Sequence, residues 1–369
     1  MPDLYIGLMS GTSLDGVDGV LVDFSASTPV VMGHSCAAFA GELRAELLAL
    51  NTAGADELHR AALAGNALMR VYAGVANDLL RRSGTAAAAI QAIGAHGQTV
   101  RHRPQEFDGT GYTLQLCQPA LLAELSGIDV VADFRTRDVA AGGQGAPLAP
   151  FFHQSLFSQP GQSVGVLNIG GISNLTLLRS DGSMLGFDCG PGNSLMDSWC
   201  SRHTGQPYDA EGAWARRGRV LPALLESLLG EPYFRKAPPK STGRDLFSQT
   251  WLADQLRGHG AADPVDVQAT LTELTARACS EDVLRHQPDL RRLIVCGGGA
   301  LNTYLMARLR HWLPNVEVAS SADWGLPPLQ VEATAFAWLA RKTVRREKLH
   351  LTSTTGAKGA RILGCVYPA

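Results

Sequence analysis

Apolar residues come in short runs of strand length, interleaved with longer stretches at helical spacing. Leu4 to Met9 and Val17 to Phe24 are two such runs, separated by Ser10-Gly11-Thr12-Ser13-Leu14-Asp15-Gly16. Pro29 to Phe39 continues the pattern and predicts a third strand. From Asp56 to Arg82, Leu58, Ala62, Leu68, Val71, Val75 and Leu79 recur at helical spacing before Ser83-Gly84, which predicts a long amphipathic helix. Ala89 to Gly97 reads as a buried strand that delivers His96-Gly97-Gln98 to its end. Pro119 to Ser126 reads as a helix, and Val130-Val131-Ala132 as a strand leading to Asp133-Phe134-Arg135. Ala140 to Pro150 is rich in glycine, alanine and proline and reads as a loop or hinge between halves.

The second half repeats the order. Strands at 164–169 and 174–179 flank Gly170-Gly171-Ile172-Ser173-Asn174, and Met184 to Asp188 predicts a third. A helix is expected from Ser194 to His203, a loop inserted over 230–250, and a helix ending near His286 with Thr270 and Glu273 at capping-box spacing. Leu293 to Cys296 predicts a strand that ends in Gly297-Gly298-Gly299, followed by helices at Leu301 to Leu313 and Glu332 to Arg341. Strands alternating with helices in both halves predict an α/β protein, and two similar glycine hairpins point to an internal duplication. Two such halves with a cleft between them would set both hairpins across one nucleotide.

The 369 residues suffice for two domains, each with its own core. With 45% hydrophobic and 18% charged residues the chain is globular rather than disordered. A formal net charge of -2 gives no polyanion-binding surface, so nucleic acid is not expected as a partner and any phosphate site must be local. Cys36, Cys117, Cys189, Cys200, Cys279, Cys296 and Cys365 are odd in number, widely spaced and mostly in apolar surroundings, which reads as reduced, buried thiols of a cytoplasmic protein. No apolar run approaches the roughly 18 residues a membrane helix needs, and MPDLYIG lacks the basic start of a secretory signal.

The glycines, hydroxyls and exposed N–H groups of the first turn suit a polyphosphate tail, though an ordinary hairpin turn favours the same residues. GxxxxGK[ST], a strand-linked GxGxxG, protein-kinase patterns and HExxH are all absent. Asp188 stands where a strand runs into the glycine-rich turn Gly190-Pro191-Gly192, a position suited to a general base facing a cleft, or to a helix cap. Asp15 and Asp18 would meet phosphates only through a bridging Mg²⁺; Asp18 fits equally as a polar residue on a solvent-facing strand. His96, Arg135 and Glu332 are candidates for holding a polar substrate, with Arg135 able to grip a carboxylate. Each has a structural alternative: a strand-end histidine, a surface ion pair, a helix N-terminal carboxylate. Trp214, Trp251, Trp324 and Trp338 read as core residues, and Arg341 to Lys348 as a solvated helix end.

Taken together, GLMSGTSLDGVD at 7–18, GAHGQT at 94–99, DFRTRDVAAGGQGAPLAP at 133–150, NIGGISNLT at 168–176, FDCGPGNSLMD at 187–197, CGGGALN at 296–302 and VEATAFAWLA at 331–340 resemble the anhydro-N-acetylmuramic acid kinase family from end to end. Cys189 stands where that pattern has Thr. The resemblance implies two duplicated actin-like (ribonuclease H-like) domains with a nucleotide cleft between them, the fold of acetate and sugar kinases, actin and heat-shock chaperone ATPases. The implied division is 1–140, completed by the tail 345–369, and 141–344. It further implies a cytoplasmic, homodimeric bacterial enzyme of cell-wall recycling that takes ATP, Mg²⁺ and an amino sugar. Such an enzyme hydrolyses the 1,6-anhydro ring and phosphorylates O6, giving N-acetylmuramic acid 6-phosphate.

By the same resemblance Asp188 is the catalytic base. Gly11, Thr12, Ser13, Leu14, Asp15, Gly16, Val17 and Asp18 hold phosphates, with Asp15 reaching the metal, directly or through water. Gly170 and Gly171 face the phosphates from the other half, and Gly297, Gly298, Gly299 and Asn302 border the adenosine. His96, Arg135 and Glu332 hold the sugar, Arg135 by its lactyl carboxylate. Another sugar kinase of the same fold, a nucleotide-gated chaperone or filament protein, and a non-catalytic sugar sensor are the competing readings. No helix-turn-helix, basic arm or appended peptide-binding domain speaks for the last two.

Overall fold

Strands β1 (Leu4–Met9), β2 (Gly16–Asp23) and β3 (Val30–Ala38) make an antiparallel meander. It belongs to a computed structural model that describes residues 2–369 except 12, 13, 27, 244, 245 and 261. Strand β4 (Ile90–Ala95) joins β1 in parallel, after a crossover through the helix Glu57–Ser83. A hairpin of β5 (Gln98–Pro104) and β6 (Gly111–Leu116) follows, and β7 (Val130–Ala132) then adds in parallel to β4. The terminal strand Cys365–Tyr367 closes that edge antiparallel to β7.

The second sheet repeats the plan. Strands β8 (Val164–Ile169), β9 (Ile172–Leu178) and β10 (Met184–Pro191) form an antiparallel meander. Strands β11 (Arg292–Cys296) and β12 (Glu317–Ser320) extend it in parallel from β8. The order β3-β2-β1-β4-β7 thus has its counterpart in β10-β9-β8-β11-β12, which is the duplication that the glycine hairpins pointed to.

The chain divides into two units, residues 1–156 with 330–369, and residues 157–329. This differs from the expected 1–140, 141–344 and 345–369, and the reason is packing. The helix Val331–Val344, expected in the second half, lies on β1 and β4 of the first sheet. Gly7 and Gly94 are register partners on those strands. A methyl group at Gly7 would stand 1.9 Å from the Ala333 carbonyl oxygen, and one at Gly94 2.1 Å from that of Phe336. Only glycine lets helix and sheet backbones come that close. Phe152, on the helix Ala149–Phe157, packs against Trp338 of the same long helix, so the boundary falls after the Ala140–Pro150 segment rather than within it.

Each unit has its own core. The Glu57–Ser83 helix buries Ala64, Leu68, Met69, Tyr72, Val75, Ala76 and Leu79, whereas Leu58 is 86% exposed and Ala62 is exposed, so the first turn of the expected apolar stripe faces outward. The helix ending at His286 begins at Pro264, where Asp263 Oδ1 accepts the Val265 N–H at 3.1 Å. Thr270 and Glu273 therefore sit in its buried middle and not at a cap; Glu273 holds Arg308 Nε at 2.6 Å. Trp338 is buried, and Trp214 and Trp251 pack on the second core. Four of the seven cysteines are buried, but Cys36 and Cys365 are exposed. Among the described residues no helix is long and apolar enough to cross a membrane.

Two alanine substitutions should act in opposite directions. Gly94→Ala should destabilise by about 2–3 kcal/mol through overpacking against helix backbone. Gly74→Ala, in an exposed part of the Glu57–Ser83 helix with nothing near the new methyl, should stabilise by about 0.5–1 kcal/mol. Denaturant unfolding of the two variants beside the parent checks both signs.

Candidate active site

In the first unit, β4 leads directly into His96, a residue only 6% exposed. Arg135, just past β7, donates from Nε at 3.2 Å and from Nη2 at 2.9 Å to His96 Nε2. A guanidinium can only donate, so Nε2 is the acceptor and the proton lies on Nδ1, which donates to the Ser10 carbonyl at 3.2 Å. Burial first, and then the Arg135 charge, pushes the imidazole down to about 3, so it stays neutral. The Phe336 ring covers it at 4.7 Å. Both ring nitrogens are thus engaged. His96 orients Arg135 and has no nitrogen left for a sugar, contrary to the role expected for it.

Arg135 Nη1 donates to the Gly145 carbonyl at 2.8 Å. The same glycine's N–H donates to Asp138 Oδ2 at 2.6 Å, and Thr355 donates to Oδ1 at 2.6 Å. Burial lowers the guanidinium to about 10, and Glu332, in the first turn of the Val331–Val344 helix, offsets this by its charge. Arg135 therefore remains a cation at neutral pH. Two of its five N–H groups have no partner among the described residues. His96, Arg135 and Glu332 thus form one group, as expected, with the histidine in a supporting place.

The first glycine turn lies beside this group. Gln98 Nε2 donates to the Gly11 carbonyl at 3.1 Å, while Gln98 Oε1 is buried with no hydrogen-bond partner. Thr12 and Ser13 lie outside the described residues. Leu14, at φ 56°, and Val17 are core residues, so only their backbones can meet a ligand. Gly16 packs on Ala37, its added methyl 2.2 Å from that carbonyl oxygen. Asp18 faces His34 across to β3 at 3.3 Å, and the Asp15 side chain is 78% exposed with Arg44 at 3.9 Å.

In the second unit the candidates gather at one end of the sheet. Asn168, Asn174 and Asp188 are register neighbours across β8, β9 and β10. Gly170 and Gly171 turn β8 into β9, and their carbonyls accept N–H groups of Asn193 at 2.7 Å and Gly192 at 2.9 Å. The Gly297–Gly299 turn presses on the end of β8; a methyl at Gly297 (φ 76°) would meet Asn168 Oδ1 at 2.4 Å. Asn168 Oδ1 itself is buried without a partner. Asn302 caps the helix Thr303–Trp312, its side-chain oxygen accepting the Leu305 N–H at 2.9 Å.

Asp188 precedes a register shift at Cys189 that bends β10 away from β9. Its N–H donates to the Lys240 carbonyl at 3.1 Å, and its Oδ2 accepts the Thr242 N–H at 3.0 Å. Burial pushes its carboxyl up to about 6, against the pull of the Thr242 bond and the Lys240 charge. It is not a helix cap: the Ser194–Thr204 helix starts after Asn193.

A family model described as anhydro-N-acetylmuramic acid kinase matches residues 3–369. The chain is 64% identical over 372 residues to the protein of that description from Variovorax paradoxus (strain S110), covering 100% of this chain and 99% of the relative. It is 60% identical over 389 residues to the one from Albidiferax ferrireducens, with both chains covered completely.

This chain belongs to the anhydro-N-acetylmuramic acid kinase family.

The fold has a solved counterpart in component A of the (R)-2-hydroxyglutaryl-CoA dehydratase of Acidaminococcus fermentans. That likeness has TM-score 0.51 at 12% identity and covers 93% of this chain and 99% of the other. It places this family member among actin-like α/β folds. Sequence reasoning missed Gln98, Asn168, Asp138 and Thr355, which lay inside quoted motifs or in the tail. It also missed Lys240 and Thr242, set aside with the 230–250 loop. The signal was there: Lys240-Ser241-Thr242 breaks a proline-rich stretch with polar residues.

Because the folded carboxyl of Asp188 titrates above its ordinary 3.8, its ionisation works against folding. The native state is favoured below pH 4, and that share is lost as pH rises through about 6. Asp188→Asn keeps an acceptor for Thr242 and should be more stable than the parent by about 2 kcal/mol at pH 8, with the gap closing near pH 4. Thermal melts of the two proteins across that range measure it.

Proposed function

We propose that this family member phosphorylates 1,6-anhydro-N-acetylmuramic acid with ATP while opening its anhydro ring, giving N-acetylmuramic acid 6-phosphate and ADP. The observation that carries the reading is Asp188, a carboxylate at a sheet end with one backbone donor and a pKa raised to about 6. Such a group is ionised at neutral pH and is a stronger base than an ordinary aspartate.

Asp188 takes a proton from a water as that water's oxygen bonds to the anomeric carbon. The C1–O6 bond breaks and its electron pair stays on O6. O6 attacks the γ-phosphorus while the bond to the departing ADP oxygen breaks, and the proton on Asp188 returns to solvent. One water, one sugar and one ATP become one sugar phosphate, ADP and a proton.

Arg135 meets the lactyl carboxylate with its two remaining N–H groups, steered by His96 and by Glu332. Backbone N–H groups of Gly11 to Asp18 and of Gly170-Gly171 hold phosphates, and the backbone at Gly297, Gly298, Gly299 and Asn302 borders the adenosine. The unpartnered Gln98 Oε1 and Asn168 Oδ1 beside these turns support polar ligands there. Mg²⁺ enters with the triphosphate as part of the substrate. Among the described residues no group of three acidic, histidine or cysteine side chains could hold a resident ion, and Asp15 alone would reach it through water. The cytoplasmic, homodimeric setting in cell-wall recycling rests on the family resemblance.

Asp188→Asn should lower kcat for ATP- and anhydro-sugar-dependent formation of the 6-phosphate by about a thousandfold; near-normal turnover sinks the assignment. For the parent enzyme, kcat/KM should rise with pH along a limb centred at about 6. Arg135→Ala should raise KM for the sugar at least about tenfold and leave KM for ATP nearly unchanged; equal rises in both would remove Arg135 from the sugar.

A further inference from the structure

We propose that Lys240 and Asp282 form a positioning pair that aims the Asp188 carboxylate and sets how tightly it holds a proton. This rests on Asp188 being the base. Lys240 is 7% exposed, and its ammonium lies 2.9 Å from Asp282 Oδ2 and 3.2 Å from Oδ1, on the helix Pro264–His286. It stands over the rings of Phe187, the residue before the base, at 5.3 Å and of Tyr233 at 5.1 Å. Tyr233 also donates its phenol proton to the Asp188 carbonyl at 2.8 Å.

The main chain of the same segment does the aiming. The Lys240 carbonyl takes the Asp188 N–H at 3.1 Å, and two residues later the Thr242 N–H binds the carboxylate at 3.0 Å. Anchoring Lys240 in the helix therefore fixes both bonds. Burying an ammonium–carboxylate pair adds little stability over an apolar pair of the same shape. What the ion pair supplies that an apolar pair cannot is a positive charge whose field reaches the desolvated Asp188 carboxylate.

Among the described residues, Lys240 is the charged group that pulls on the Asp188 carboxyl. Strand β9 faces it with Asn174. Burial keeps the Tyr233 phenol and the Cys189 thiol protonated. On the Pro264–His286 helix, Cys279 touches Cys189, and Arg285 is held by Asp282 at 3.3 Å and the Phe234 carbonyl at 2.9 Å. His286 packs edge-on to Phe187 at 5.0 Å and is kept neutral by burial. Lys236 lies over the Tyr233 ring at 5.7 Å.

The test is the pH dependence of kcat/KM in Lys240→Met, Lys240→Arg, Asp282→Asn and the Lys240→Met/Asp282→Asn double variant. A carboxyl NMR titration of the free proteins, which needs no turnover, accompanies it. Without Lys240 the Asp188 limb should move up by about one pH unit, a loss of about fivefold at pH 6 that recovers at pH 8. Without Asp282 the ammonium acts on Asp188 alone, and the limb should move down. Lys240→Arg should stay near the parent, and the double variant should return toward it.

A merely structural pair would lower stability in both single variants and leave the limb where it was. The proposal is overturned if the limb is unmoved, or moves the same way in both single variants. Should Lys240→Met fail to fold, Asp282→Asn and the double variant decide by the same criterion. Activity retained in Asp188→Asn would overturn the base assignment instead, which keeps the two failures apart.

Discussion

The close approach of the helix Val331–Val344 to β1 and β4 is the constraint from which the first unit is built. Two glycines in register, Gly7 and Gly94, remove the side chains that would hold the backbones apart. The approach puts Phe336 on His96 at 4.7 Å and on Phe134 at 5.5 Å, and it brings Glu332 within electrostatic reach of Arg135. A ring so covered cannot hold a charge. His96 is therefore neutral, and its one lone pair is free to take the guanidinium. The tautomer, the direction of Arg135 and the polarity of that site all follow from how tightly a helix lies on a sheet.

The second unit solves a different problem, which is to keep a carboxylate dry enough to be basic and wet enough to ionise. Burial alone would drive Asp188 toward the neutral acid. A backbone donor at Thr242 and the charge of Lys240 pull it part of the way back, and the balance falls near 6. Each contribution comes from the loop 236–243 or from the β10 bulge, not from the sheet itself. A base built this way costs stability in its ionised form, a common bargain at sites that do chemistry.

Much of the fold was legible because it rests on local pattern. The strands Leu4–Met9, Val130–Ala132 and Val164–Ile169 were bounded within a residue or so, since buried strands must be apolar runs that end at turn residues. The repeated glycine turns announced a duplication that the two strand orders repeat. The β5–β6 hairpin and the helix Pro222–Leu229 were not foreseen, because mixed polarity in the one and a short apolar run in the other fit several structures equally well. The Thr270/Glu273 spacing imitated a cap, while the true start lay at Asp263-Pro264.

Residues close together in the chain carried the duplicated α/β plan, the family and the choice of Asp188 as candidate base, although the strand expected to stop there runs on to Pro191. Packing between remote segments is what makes His96 serve Arg135, joins Val331–Val344 to the first unit, and brings together Lys240 and Asp282, 42 residues apart. Those outcomes depend on which surfaces are dry and which backbones can touch. Such quantities belong to packing between segments far apart in the chain, and no local pattern of side chains encodes them.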